Sequence, residues 1–160
     1  MDIFDYAMQM EKDGEELYRD LAQKSGDTGI QHIFNMLADD EVKHYRIFED
    51  MKEEKEHEIT DTKILTDAKN IFSQLKEEGK FDYELPQLEL YKKAQDLEKK
   101  TEDFYREKAE EAEKEYQKEM FLKIAEEEKK HYFLLDNIIE FVSRPQTWLE
   151  NAEFYHLEEY

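Results

Sequence analysis

Apolar residues recur along this chain at intervals of three and four, the period of an amphipathic helix rather than a strand. A first long helix is predicted over about 3–24, where Ile3, Phe4, Ala7, Met10, Leu17, Tyr18, Leu21 and Ala22 share a face. Ser25-Gly26-Asp27-Thr28-Gly29 reads as a stop followed by a new N-cap. A second helix, over about 27–55, turns Ile30, Ile33, Phe34, Leu37, Ala38, Tyr45, Phe48 and Met51 inward, and the same register carries Glu41 and His44 inward with them. Between 52 and 85 the pattern changes: a charged stretch, 52–58, reads as the frayed end of the second helix. Thr66-Asp67 then caps a short helix that passes through Ile71, Phe72 and Leu75 and stops at Gly79. Such a connection is too long for a hairpin turn and long enough to run the length of a helix, so the second and third long helices are expected to be parallel.

The third long helix is predicted from Pro86, in its first turn, to about 113, with Leu88, Tyr91, Ala94, Leu97, Glu98, Thr101, Phe104, Tyr105 and Ala109 inward. The fourth covers about 115–142, with Met120, Phe121, Ile124, Ala125, Glu128, His131, Leu135, Ile138 and Ile139 inward, and Arg144-Pro145 ends it. The tail, 146–160, holds Trp148, Leu149, Phe154, Tyr155 and Leu157, too apolar to lie free in water. It is expected to pack on the bundle or on a second subunit.

The two halves are copies. Sliding the chain by 87 residues lays Ala7 on Ala94, Glu11 on Glu98, Glu15 on Glu102, Tyr18 on Tyr105, Arg19 on Arg106 and Ala22 on Ala109. Without a gap it also lays Phe34 on Phe121, Ala38 on Ala125, Glu41 on Glu128, His44 on His131 and Tyr45 on Tyr132. A duplicated helical hairpin follows. The expected fold is all-α, a four-helix bundle over 1–143 with repeat one at about 3–55, a crossover at about 56–85 and repeat two at about 86–143; 144–160 form the tail.

Composition narrows the chemistry. With four glycines, two prolines and 41% charged residues, long helices are favoured over strands and turns. A formal charge of −20 excludes a nucleic-acid backbone or an anionic membrane as partner. The absence of cysteine excludes disulfides, thiolate zinc sites, iron–sulfur clusters and thiol nucleophiles. Met1-Asp2-Ile3-Phe4-Asp5 has no signal-peptide character and no apolar run reaches membrane-spanning length, so a cytoplasmic location is expected.

Glu41-Val42-Lys43-His44 and Glu128-Lys129-Lys130-His131 each put a carboxylate and an imidazole three residues apart, on one helix face. Each is half of a metal site. A lone Glu-x-x-His carries little weight here, since about one of the five histidines should have one by accident in so glutamate-rich a chain. The pairs Glu54/His57 and Glu153/His156 are such accidents, without counterparts in the other half. The repeated pairs differ, because each is also preceded by one inward glutamate, Glu11 or Glu98, at the same spacing. Ala7 and Gly14 leave room beside Glu11. A two-fold axis perpendicular to the bundle brings four carboxylates and two imidazoles into one apolar core. A dry core cannot hold their charge of −4 bare, so they are protonated, paired or bound to cations. Carboxylate oxygens with one imidazole per metal suit two iron ions, with manganese or zinc as alternatives.

On these residues, and on the segments 7–18 and 40–44 with their repeats, the chain resembles the ferritin-like di-iron carboxylate proteins and is most similar to the rubrerythrin family, over about 3–143. The resemblance implies that Glu11 and Glu98 are terminal ligands, that Glu41 and Glu128 bridge two irons, and that His44 and His131 bind one iron each. It implies further that Tyr18 and Tyr105 hydrogen-bond ligand carboxylates across the bundle; ordinary core aromatics with satisfied hydroxyls are the alternative. Asp40 and Glu127 stand where the family holds the opposite histidine's other ring nitrogen, with a solvated Glu127 as the alternative. The chain departs from the family in lacking a rubredoxin domain and in carrying Thr101 where rubrerythrins have an extra ligand glutamate; Glu102, the mate of Glu15, is an uncertain substitute.

The expected function is therefore a di-iron oxidoreductase, a peroxidase or ferroxidase that reduces hydrogen peroxide or dioxygen in oxidative-stress defence or iron handling. An external electron donor such as rubredoxin would supply it, and a homodimer is expected. The alternatives are iron binding or storage without turnover and a metal-free helical interaction module. His32, His57 and His156 are expected to be surface or packing residues.

Overall fold

The computed structural model describes residues 2–55, 59–79 and 85–160. Its elements are α1 (Ile3–Lys24), α2 (Thr28–Lys52), α3 (Ile64–Glu78), α4 (Leu88–Glu111), α5 (Glu115–Ser143), α6 (Pro145–Glu150) and a 3-10 helix, Glu153–Glu159. The fold is all-helical, and no strand occurs among the described residues.

Local chemistry sets the helix ends. The Asp2 carboxylate accepts from Phe4 N–H at 2.7 Å and the Asp27 carboxylate from Ile30 N–H at 2.9 Å, so both N-termini of the first hairpin are capped. α2 ends at Lys52 rather than about residue 55, with Glu54 in the left-handed region at φ 61°. Glu49, Asp50, Glu53 and Glu54 crowd the negative end of the helix dipole there, which opposes a further turn. The rest of the expected frayed end, 56–58, lies outside the described residues.

α3 begins at Ile64, ahead of the expected Thr66-Asp67 cap. Ile64 and Ala68 are buried, and the Thr62 hydroxyl accepts from Ile64 N–H at 3.2 Å, which starts the helix earlier. Gly79, at φ 72°, ends it in the conformation that costs glycine least. Pro86 stands before the Gln87 N-cap of α4 instead of inside the first turn, and Leu88, the first residue of α4, stays 37% exposed.

Cross-helix contacts fix the directions. Asp5 pairs with Lys52 at 2.5 Å and Arg19 with Asp39 at 2.8 Å, so α1 and α2 are antiparallel. Tyr18 meets Glu98 while Tyr105 meets Glu11, which makes α1 and α4 antiparallel. His44 meets Glu127 while His131 meets Asp40, so α2 and α5 are antiparallel as well. α2 and α4 therefore run parallel, as a crossover requires. Contacts come in mates shifted by 87 residues, which is the pseudo-two-fold axis of the duplicated hairpins.

The apolar core is split by a polar layer. One cluster gathers Ile30, Phe34, Leu37, Tyr91, Leu135, Ile138 and their neighbours, and the other Ala7, Ile47, Phe48, Tyr105, Phe121 and Ile124. The first is enlarged by α3 and the tail: Phe72 packs against Phe141 at 5.0 Å and Trp148 at 5.9 Å, and Trp148, Phe154 and Leu157 are buried. The tail's large apolar groups, apart from the exposed Tyr155 and Tyr160, are thus consumed within the chain. No described helix is long and apolar enough to cross a membrane.

Candidate metal centre

Between the two clusters lie Glu11 on α1, Glu41 and His44 on α2, Glu98 on α4, and Glu128 and His131 on α5, each at most 3% exposed. All six lie on the inward stripe that the helical period predicts, because each follows an apolar position by three, four or seven residues. They form two overlapping groups. Glu11, Glu41, His44 and Glu128 offer ligand atoms within 4.8 Å of one another, and so do Glu41, Glu98, Glu128 and His131. Glu41 and Glu128 belong to both groups, and each group has its own outer glutamate and its own histidine.

The ring nitrogens have different tasks. His44 turns Nδ1 to the centre, 2.9 Å from Glu128 Oε1 and 3.4 Å from Glu11 Oε2, while its Nε2 lies 2.7 Å from Glu127 Oε1. His131 turns Nδ1 toward Glu98 Oε1 at 3.2 Å and Glu41 Oε1 at 3.4 Å, with Nε2 2.8 Å from Asp40 Oδ2. An ionised carboxylate only accepts, so Asp40 and Glu127 keep a proton on each Nε2 and direct each Nδ1 inward. Glu127 is 2% exposed and is held also by Lys43 Nζ at 3.0 Å and by Thr62 N–H at 3.0 Å, which removes the solvated alternative. Tyr105 donates to Glu11 Oε1 at 2.8 Å and Tyr18 to Glu98 Oε1.

Electrostatics divides the four glutamates into two kinds. Burial pushes Glu41 and Glu128 well above the ordinary carboxylate range, and the neighbouring Glu11 charge pushes them further. Burial also acts against ionised Glu11 and Glu98, but the adjacent His44 and His131 charges prevail: Glu11 is lowered and Glu98 falls to about 2. For the histidines burial opposes the charged form and the surrounding carboxylates outweigh it; His44 rises well above its ordinary value and His131 rises to about 9. Burial and the facing carboxylates raise Tyr18 and Tyr105, so both remain hydroxyl donors. Without a cation, the six groups reach neutrality as two carboxylates, two carboxylic acids and two imidazoliums.

The donor set fits two divalent cations. Glu11 Oε2 and Glu98 Oε2 are buried without a hydrogen-bond partner, each on the carboxylate whose other oxygen a tyrosine holds. Such oxygens are costly unless something positive meets them. Gly14 belongs to the same arrangement: a Cβ there would lie 3.2 Å from Glu41 Cδ, so this turn of α1 must be bare for the carboxylate to sit where it does. Its repeat mate is Thr101, whose hydroxyl turns back to Leu97 O at 2.8 Å.

The remaining candidates lie elsewhere. Glu102 pairs with Arg106 at 2.8 Å and Glu15 with Arg19 at 3.5 Å, and neither joins the two groups. Glu153 is taken by Arg144, His156 pairs with Glu159 at 3.2 Å, and His32 is exposed. Glu54 is exposed, and His57 lies outside the described residues. Lys43, which holds Glu127, and Thr62, which holds Asp40 and Glu127, were not among the residues predicted from sequence; Lys43 has a repeat mate in Lys130, and Thr62 lies off the repeated pattern.

A helical bundle of two repeated hairpins, with buried glutamates and one histidine per half in its polar layer that could hold metal, defines a ferritin-like protein. A sequence model of rubrerythrin matches residues 2–139, and the chain belongs to the rubrerythrin family. It matches no curated protein and no solved structure at a significant level.

Proposed function

We propose that the protein is a di-iron carboxylate oxidoreductase that reduces hydrogen peroxide or dioxygen. The sharing of Glu41 and Glu128 between two four-residue groups carries this reading, because shared carboxylates allow two cations to sit side by side and act together. Glu11 and His44 would complete the holding of one cation, Glu98 and His131 that of the other. Iron, when bound, supplies two electrons, one from each Fe(II), which with two protons turn one peroxide molecule into two of water.

The chain's own residues prepare that chemistry. Asp40 and Glu127 fix both imidazoles with Nδ1 inward, and the tyrosines restrain one oxygen of each outer glutamate while the other keeps no hydrogen-bond partner. The apolar clusters above and below exclude bulk water and strengthen every charge interaction inside. With no cysteine among these 160 residues to hold an iron–sulfur or rubredoxin-type centre, the electrons that return the centre to its reduced form would come from a donor outside them. A rubredoxin-type protein is the expected donor.

Anaerobic loading with Fe(II), followed by desalting, tests the reading. Two irons per chain are expected, and mixing with peroxide or dioxygen should oxidise them, the faster oxidant being the substrate. Iron near zero in a helical, folded chain would remove the metal centre and leave the interaction-module alternative.

A further inference from the structure

We propose that Thr62, in the crossover ahead of α3, is a positioning residue that locks both histidines of the centre at once. The inference rests on the metal-centre reading and extends it to a segment that has no repeat mate. The Thr62 hydroxyl donates to Asp40 Oδ2 at 2.6 Å, the same oxygen that holds His131 Nε2. Its backbone N–H donates to Glu127 Oε2 at 3.0 Å, and the other oxygen of that carboxylate holds His44 Nε2. One residue therefore meets both Asp40 and Glu127 across the α2–α5 seam.

The surroundings hold Thr62 in place. Its hydroxyl oxygen accepts from Ile64 N–H, which ties it to the start of α3, and Lys43 bridges Thr60 O at 2.9 Å and Glu127 Oε1 at 3.0 Å. The bundle's pseudo-symmetry makes the two histidine–carboxylate pairs equivalent, but Thr62 serves one with its side chain and the other with its backbone. A side-chain change can therefore disconnect only the Asp40–His131 arm. Valine keeps the branched shape and the N–H while removing the donor, and serine restores the donor.

Two measurements on the full chain decide this. In the metal-free protein, slowly exchanging Nε2–H signals of His44 and His131 are expected by nitrogen-15 NMR. Thr62→Val should speed exchange of the His131 proton at least roughly ten-fold and leave His44 nearly unchanged, and Thr62→Ser should restore it. In anaerobic titration with Co(II), two ions should bind the wild type, and Thr62→Val should weaken one of them by roughly 10–100-fold, the range for lost partners of metal-holding histidines. If Thr62→Val matches the wild type in both measurements, or disturbs both histidines equally without rescue by serine, the positioning role is overturned. If the wild type itself binds no Co(II), the metal-centre reading fails, and the proton-exchange comparison still decides whether Thr62 positions His131.

Discussion

Tyr105 on α4 donates its hydroxyl to Glu11 on α1 at 2.8 Å, and the repeat reproduces the bond with the partners exchanged between helices, Tyr18 to Glu98. Each hairpin thus orients the other's outer glutamate. Tyr105→Phe should leave Glu11 Oε1 buried without its donor and destabilise the metal-free protein by about 1.5–3 kcal/mol, since the acceptor is charged. Urea unfolding checks this; an unchanged midpoint would mean that the hydroxyl holds nothing.

Glu128 stands in both four-residue groups, whereas Glu11 stands in one. Glu128→Ala should bring bound iron well below one per chain, while Glu11→Ala should retain one of two. Metal analysis after desalting, with circular dichroism to verify the helices, distinguishes them. Equal losses would contradict the bridging assignment.

Gly14 presses against Glu41, with 3.2 Å available to a Cβ. Gly14→Ala favours the helix by up to about 1 kcal/mol, and a metal-free Glu41 can yield by a few tenths of an ångström. A Glu41 fixed by two cations cannot. Unchanged or raised stability of the metal-free protein with weaker metal binding is expected; loss of stability without loss of affinity would show that Glu41 is not so constrained.

The Asp40–His131 pair sets a pH window for the metal-free protein. His131 is raised from 6.5 to about 9, so its contribution is complete below 6.5 and is lost as pH rises through about 9. Asp40 is lowered from 3.8 to about 2, so its contribution is complete above 3.8 and is lost as pH falls through about 2. Both act fully between 3.8 and 6.5, and the His131 part is on the order of 3 kcal/mol. Denaturation midpoints measured across pH should fall on the alkaline side in the wild type and fall less in Asp40→Asn. Metal binding requires neutral imidazole, so affinity should instead strengthen as pH rises over the same alkaline range.

Trp148 is buried against Phe72 and Phe141. Trp148→Ala should destabilise the fold by about 3–5 kcal/mol, read by thermal unfolding, and a change below 1 kcal/mol would show that the tail is not part of the core.

Much of this was legible in the sequence because it is local or repeated. The 3.6-residue period turns Glu41 and His44 inward along with Leu37 and Phe48, and duplication supplies Glu128 and His131 at the same level. Capping chemistry located Asp27 and Gly79. Boundaries failed where other forces overrode the cap signals: burial of Ile64 drew the start of α3 back ahead of Thr66-Asp67, and accumulated acid at the end of α2 stopped it early. Glu102 looked like a ligand substitute by spacing, but one residue is about 100° of helical rotation and carries it to Arg106 instead.

The sequence by itself determined the four long helices, their inward faces and the six ligand-type residues, because a helix fixes the direction of each side chain from its position alone. Only the tertiary structure decided which ring nitrogen faces the centre, that Glu127 is buried, that α3 and the tail cover one apolar cluster, and that Thr62 reaches both Asp40 and Glu127. The Thr62 contacts join residues 22 and 65 positions apart through a connection that occurs once in the chain. Neither helical period nor internal repeat constrains such a path; the packing of the completed bundle does.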